Sequence, residues 1–414
     1  MKNKVVVIGA GAAGLMAAGT AAFLGEDVTV IEKNQRVGRK IAITGKGRCN
    51  ITNACDVQTF IGNVPTNGKF LYSAINNFTP YDTIDFFEEQ GLKIKIERGN
   101  RAYPVSDKAL DVVDTMRDYA TKNGARIIND IAKALIIKDG RITGVKTENQ
   151  NFECDNVIVC CGGMSYPLTG STGDGYILAK QAGHTITKIK PSLVPLESPD
   201  KCCKDMQGLS LKNVTLKIED AKSGKTLYSD FGEMLFTHFG ISGPTVLSAS
   251  SHIRNIDNLD LYASIDLKPA LSNEQLDIRL LRDFSENINK AVSNSFSKLL
   301  PRKLIPVVLQ RWGVPFDKKC NSVTKEERAE LIRILKNFKV KISGFRPVEE
   351  AIVTSGGVKV SEINPKTMES KLCKGLFFAG EVIDVDAYTG GFNLQIAWST
   401  GKLSGENAAY GKEE

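Results

Sequence analysis

The sequence predicts an α/β fold interrupted by an inserted β region, and three features of its 414 residues predict it. The first is a strand, glycine turn, helix and second strand at the N-terminus. The second is a change of texture near residue 190, where alternating apolar residues replace continuous apolar runs. The third is a return, after residue 345, to glycine-rich segments with short buried-strand signals. A chain of this length exceeds what one core usually organises, so two or three domains are expected. Residues 1–190 and 350–414 are read as one discontinuous domain, 191–270 and 338–349 as an inserted β-barrel-like domain, and 271–337 as a small helical subdomain.

Each element has a local reason. Val5 to Ile8 is apolar throughout, as a strand buried on both faces requires; the small residues from Ala12 to Leu24 suit a closely packed helix, and Val28 to Ile31 is the next strand. Thr79-Pro80 opens a helix through Gln90, and Ser106 is read as the cap of another with the stripe Leu110, Val113, Met116 and Ala120. Ile127-Ile128, Ala134 to Ile137 and Ile142 to Val145 are short strands around an Asp139-Gly140 turn, and Val157 to Cys160 returns to a parallel sheet. In the inserted region, Val214-Leu216-Ile218 and Leu259-Leu261-Ala263-Ile265 alternate, with a turn at Ser223-Gly224. Ser272 with Gln275 and Thr324 with Glu327 form capping boxes of helices. Gly375 to Ala379 is the last buried strand, before an apolar helix at Leu394 to Thr400.

Composition excludes several classes. With 42% hydrophobic and 24% charged residues and no polar tract, the chain is neither low-complexity nor collagen-like. No apolar stretch approaches the roughly 20 residues of a membrane span, and Met1 to Lys4 lead directly into the first strand, so a full-length cytoplasmic protein is expected. The net charge of +7 is scattered, and no block of like charges marks a nucleic-acid arm. A small-molecule partner, and no nucleic acid, is the expectation. Nine irregularly spaced cysteines without a CxxC pair read as reduced thiols, and His184, His238 and His252 stand too far apart in sequence for a histidine metal site.

Gly9-Ala10-Gly11-Ala12-Ala13-Gly14 follows a strand and opens a helix, and Glu32 ends the second strand. Each glycine has a mechanical purpose: Gly9 for the turn, Gly11 for backbone approach to a pyrophosphate, Gly14 for helix-strand packing. The helix start offers N–H groups and a positive dipole end to phosphates, and Glu32 accepts from ribose hydroxyls. This is a Rossmann-like dinucleotide site. Gly38-Arg39-Lys40 and the stretch from Thr44 through Gly45, Lys46, Gly47, Arg48 and Cys49 to Asn50 lie where a cofactor longer than its ribose needs flexible backbone and cations. Gly380-Glu381 and Asp384 follow a strand, and Gly390-Gly391 precedes Asn393 and Leu394 at a helix start. An acidic side chain there holds ribityl hydroxyls, and the helix start faces the electron-rich edge of a flavin, which favours FAD.

The segments Thr44 to Asn53, Gly162 to Tyr176, Leu235 to Pro244 and Gly375 to Gly401 resemble the signature blocks of the BaiN/RdsA family of NAD(P)/FAD-dependent oxidoreductases. The resemblance covers essentially the whole chain. It implies a flavoprotein fold with an inserted β-barrel and helical domain. It places FAD phosphates at Gly9 to Gly14, ribose at Glu32 with Lys33, and the isoalloxazine near Arg39, Lys40, Gly45 and Asn50. Asp384, Asn393 and Leu394 then close the site, and the backbone of Ile131 or Ala132 clasps adenine. Where similar flavoproteins read Ala-Thr-Gly, this chain has Cys160-Cys161-Gly162 and lacks the threonine hydroxyl.

The first functional reading is an FAD-dependent reductase that takes hydride from transiently bound NAD(P)H and delivers it to an activated C=C bond of an apolar enone, such as a bile-acid or steroid 3-oxo-4-ene or 4,6-diene. His238 and Tyr166 are the candidate proton donors; the structural alternatives are a histidine satisfied inside the inserted domain and an aromatic packed on the flavin. No second GxGxxG is visible for a nicotinamide domain. That leaves two other readings: an oxidase of a small amine or amino ketone, and a flavin-binding module without small-molecule catalysis.

Overall fold

Lys4–Ile8 (β1) sits in the middle of a parallel sheet and alternates between two cores: Val5 and Val7 face one apolar cluster, Val6 and Ile8 the other. The computed structural model describes residues 2–253 and 256–410. Two compact units emerge, Met1–Ser192 with Val348–Glu414, and Leu193–Pro347.

In the first unit, Asp27–Glu32 (β2), Arg126–Asn129 (β3), Asn156–Val159 (β4) and Leu376–Phe378 (β5) join β1 in the order β5-β4-β1-β2-β3, every pair parallel. The C-terminal segment therefore completes a sheet begun at the N-terminus. Ala12–Phe23 (α1) follows β1, and the long helix Phe392–Tyr410 (α2) packs along it. That approach is very close: a Cβ on Gly401 would lie 2.5 Å from the Ala13 carbonyl oxygen, and one on Gly405 2.5 Å from that of Ala17. The Thr79 capping box with Asp82 opens Pro80–Glu89. Ser106, however, is not a helix cap. The helix runs Ala109–Lys122 with Lys108 at its N-cap and no side-chain cap. Its buried stripe is Ala109, Val112, Val113, Met116 and Ala120, while Leu110 is exposed, because 3.6 residues per turn puts it about a quarter turn from the centre of that stripe.

The second unit holds a seven-stranded antiparallel sheet in the order Phe338–Ile342, Leu261–Asp266, Ser210–Asp220, Lys225–Thr237, Gly240–Ser242, Leu196–Glu197, Gly344–Phe345. Its two edge strands are separated in sequence by Ser343 alone, so the sheet curls until its edges approach. No ladder closes it among the described residues. Both capping boxes, at Ser272 and Thr324, form as read from the sequence. The helices they open do not build a core apart: Leu276, Leu280, Phe284, Leu331 and Leu335 join Leu216, Ile218, Ala263 and Phe338 in one apolar cluster. The sheet's apolar face needs that cover. No helix among the described residues is long and apolar enough to cross a membrane.

A buried polar trio lies in the first unit. The Ser370 hydroxyl accepts the N–H groups of Leu372 (3.0 Å) and Cys373 (2.9 Å), so its proton turns to Nε2 of His184 (2.7 Å); Nδ1 of His184 then faces Glu362 (3.2 Å). Burial lowers the His184 pKa, with Glu362 opposing in part.

Two expectations follow. Gly401→Ala forces α1 and α2 apart and lowers stability by about 1 to 3 kcal/mol, measured by chemical denaturation. For His184 the neutral ring is favoured in the folded state, so its contribution is whole above the ordinary value of 6.5 and is lost as pH falls through the depressed one. Glu362, held low mainly by Thr185 and His184 against the effect of burial, acts only below its own ordinary value of 4.5. The denaturation midpoint should fall just below pH 6.5, and His184→Asn should flatten that fall.

Candidate active site

The phosphate loop is shaped by backbone contacts. Gly9 has φ +100°, a conformation side chains rarely adopt, and a Cβ on Gly14 would lie 1.8 Å from the Gly9 carbonyl oxygen. A Cβ on Gly11 would meet nothing within 4 Å. The loop is thus packed tight behind and open in front. Gly11 is the N-cap of α1 and supplies no side-chain cap, so the first-turn N–H groups, at Ala12, Ala13 and Gly14, face the opening without intrahelical partners.

Glu32 is buried, and one carboxylate oxygen accepts the Ala10 N–H (2.7 Å) while the other accepts the N–H (2.8 Å) and Nδ2 (2.7 Å) of Asn34. It therefore pins the phosphate loop to the turn after β2. Lys33 pairs with Asp174 (2.5 Å) and Thr172 (2.6 Å), and Arg39 donates to Asn34 (2.8 Å). Nearby, Ala132 lies opposite Thr147 in an antiparallel pair flanked by the Glu148 N–H to Ile131 C=O bond (2.9 Å). That pattern turns the Ala132 N–H and C=O away from the neighbouring strand, toward the open edge, whereas the Ile131 N–H is taken by Asp130 (2.7 Å). The register ambiguity between Ile131 and Ala132 is one of backbone orientation, and the geometry favours Ala132.

The loop after Gly38 is conformationally unusual. Gly38 caps the short helix Arg39–Ile43, and Gly45, Lys46, Gly47 and Cys49 all have positive φ. Lys46 and Cys49 carry that strain without being glycine. The Arg48 guanidinium pairs with Glu97 (2.5 Å) and Asp107 (2.6 Å) and stacks on Tyr103, which anchors the loop. Thr44 hydrogen-bonds the Ile41 carbonyl and the Cys49 thiol; burial pushes that thiol up to about 12, which marks a packed sulfur, not a reactive one. Asn50 Oδ1 is buried with no hydrogen-bond partner.

Lys40 leads to a network that sequence reasoning missed. Its Nζ donates to Ser165 (2.6 Å) and Glu381 (2.6 Å); Glu381 also accepts from Ser165 Oγ (3.0 Å) and the Thr354 N–H (2.8 Å), and Thr354 Oγ1 accepts the N–H of Met164 (2.8 Å) and Ser165 (3.1 Å). Four distant stretches of chain meet there. Ser165 stands in the sequence only within the Gly162 to Tyr176 block, and Thr354 carries no signal. Gly380 and Gly162 both have positive φ, and half-buried Cys161, just past the strand Asn156–Val159, has its thiol pushed up to about 12 by burial.

Burial likewise pushes the Asp384 carboxyl up, Thr187 and Asn67 opposing and Asp386 adding. At the start of α2 the Asn393 side chain is already committed, accepting the Ala387 N–H (2.9 Å) and donating to the Ala387 C=O (2.8 Å). Tyr166 is 36% exposed at φ +53°, an outlier for an aromatic residue. His238, in the second unit, is exposed at the turn between Lys225–Thr237 and Gly240–Ser242, so it is not a histidine satisfied inside that domain.

These residues fit a dinucleotide flavin: an open helix start, an unpaired backbone edge at Ala132 and an orphaned acceptor at Asn50 all lie along the expected path of FAD.

Known proteins agree with that fit. The model of the HI0933-like protein Rossmann domain matches residues 3–407. The chain is 31% identical to a 3-dehydro-bile acid delta(4,6)-reductase of Clostridium scindens, over 98% of this chain and 99% of that one. It is 32% identical to a ribosomal RNA dihydrouridine synthase of Haemophilus influenzae, over 95% of this chain and 96% of that one. Among solved structures, a 3-ketosteroid delta1-dehydrogenase from Sterolibacterium denitrificans superposes with TM-score 0.52 at 12% identity, covering 99% of this chain and 100% of that one; the likeness is of fold.

Glu32→Ala removes a carboxylate that holds both the phosphate loop and, on the FAD reading, the ribose. FAD affinity should fall at least ten-fold, in line with about 1.5 to 3 kcal/mol for a hydrogen bond to a charged group, with far-ultraviolet circular dichroism unchanged. Titration of the apoprotein with FAD measures it, and an unaltered affinity would exclude Glu32 from the site.

Proposed function

The chain belongs to the HI0933-like Rossmann family, a family of FAD-dependent oxidoreductases, and from that premise we propose that it reduces a carbon-carbon double bond conjugated to a carbonyl, with NAD(P)H as electron donor. One observation carries this reading: two end-to-end relatives are named for the same kind of bond change. The delta(4,6)-reductase acts on a 3-oxo dienone. Dihydrouridine is uridine saturated at a bond conjugated to its C4 carbonyl.

When bound, FAD supplies the hydride. The residues of this chain bind and orient: Gly9 to Gly14 take the pyrophosphate, Glu32 the ribose, Ala132 the adenine edge, and Asn50 Oδ1 accepts a donor from the ring system. The first turn of α2 sets its positive dipole end against the flavin's electron-rich edge. Lys40, Ser165, Glu381 and Thr354 lock the strand ends that frame this space, so that orientation is fixed before substrate arrives. Tyr166, strained and accessible, is the preferred proton donor; exposed His238 is the second candidate.

Two substrates suit this chemistry. The first is an apolar enone of steroid type. The second is uridine in ribosomal RNA, favoured by two relatives bearing that name, from Haemophilus influenzae and Escherichia coli, and by the basic excess of the inserted unit described below. This second substrate departs from the expectation of no nucleic-acid partner, which rested on the absence of a contiguous basic run.

Anaerobic bleaching of the flavin by NADH or NADPH tests the reductase reading, followed by reoxidation with a 3-oxo-4,6-diene steroid or with unmodified ribosomal RNA. Reduction by a small amine and rapid reoxidation by oxygen, without bleaching by either nicotinamide, would establish the oxidase instead. Tyr166→Phe should slow substrate reduction by roughly 10² to 10⁴ while flavin reduction by NAD(P)H keeps its rate. If His238→Ala produces that loss and Tyr166→Phe does not, the roles exchange.

A further inference from the structure

The chain's positive charge is concentrated. Between Leu193 and Pro347 stand 24 basic and 18 acidic residues, which accounts for most of the net +7. Within that unit, Arg328, Lys336, Lys341 and Arg346 are neutralised by Asp277, Asp266, Asp260 and Glu197. Lys201, Lys204, Arg302, Lys303 and Lys339 are all exposed and have no ion-pair partner among the described residues.

Hydrogen bonds gather these five on neighbouring segments. Lys303 Nζ donates to the Gln207 carbonyl (2.7 Å), just past the short helix Lys201–Asp205. Arg311 Nη1 donates to the Lys339 carbonyl (2.6 Å), its Nη2 lies 3.3 Å from Cys202 Sγ, and its guanidinium stacks 3.8 Å from the centre of the Phe338 ring. The acidic groups here are Asp200, which accepts the Lys341 N–H (2.9 Å), and Asp205. The framework beneath is rigid, since Phe338, Val308 and Leu309 belong to the unit's core. Unpaired cations on linked segments over a rigid framework make a positive field that attracts a polyanion.

We propose that this face of the inserted unit docks the phosphate backbone of RNA. The inference rests on the ribosomal RNA reading above and deepens it by assigning the docking surface. An anionic membrane would be held by cations together with apolar anchors, and no exposed large hydrophobic side chain lies within residues 200–207, 301–312 or 338–341. The face therefore matches a soluble polyanion. Phosphate contacts give affinity and register, not sequence reading, so the base to be reduced is chosen elsewhere.

The test uses the FAD-loaded full chain and the variant Lys204→Glu/Arg302→Glu/Lys303→Glu. Fluorescence anisotropy measures binding of a short uridine-containing RNA hairpin and of purified ribosomal RNA across a salt series; vesicles of anionic phospholipid are the competing probe. The variant should bind RNA at least ten-fold more weakly, and its slope of log affinity against log salt should shrink by about 2 to 3, one counterion-release increment per lost contact. Its flavin spectrum, thermal midpoint and bleaching by NAD(P)H should match the parent's. Equal RNA binding by variant and parent would overturn the assignment of this face while leaving an RNA substrate in place. A parent that binds neither RNA would overturn the RNA reading as well, and the enone would remain. Tighter binding to vesicles than to RNA would make the face a lipid-binding one.

Discussion

The contact on which the first unit depends is between two stretches of backbone. The α carbon of Gly14 packs against the Gly9 carbonyl so closely that a methyl group would overlap it. This contact sets the angle between β1 and α1, and with it the direction in which the free N–H groups of the helix start point. On its other side α1 carries α2, again through glycines, at Gly401 and Gly405. The first and last helices of the unit are thereby locked at backbone distance. That lock brings the C-terminal segment with Gly380 and Glu381 back to the dinucleotide motif, and it leaves almost no freedom for compensation by side-chain rearrangement.

Polar chemistry then uses that frame. Glu32 and Glu381 play parallel parts: each is a carboxylate just at or past the end of a strand, and its oxygens gather donors from more than one loop. Neither is a surface ion pair of small worth. Buried donors are expensive to leave unpaired, so each carboxylate enforces one arrangement of its loops. The orphaned Oδ1 of Asn50 stands out against this economy of partners, and a bound donor would complete it.

The two named relatives concern substrates as different as a bile acid and ribosomal RNA, yet the bond each name describes is the same: C=C polarised by a carbonyl. On the flavin reading, one cofactor can serve both bonds because the chemistry belongs to the cofactor. In this chain the inserted unit carries the basic charge and the first unit is nearly balanced.

Local sequence determined the elements whose causes are local. The GxGxxG turn, the continuous apolar strands, the Asp139-Gly140 and Ser223-Gly224 turns, the Thr79 cap and two capping boxes were all legible, since each depends on residues a few positions apart. Ser106 was misread because a capping side chain is interchangeable in sequence but not in space; the helix began where Ala109 could be buried. Tertiary structure alone decided which polar groups were already spoken for. The Arg48 guanidinium pairs with Glu97 and Asp107, the Asn393 side chain bonds Ala387, and Thr354 is a partner of Ser165. Those assignments join residues from six to nearly two hundred positions apart, and a hydrogen bond, being short and directional, is settled only when the fold has fixed where both its partners stand.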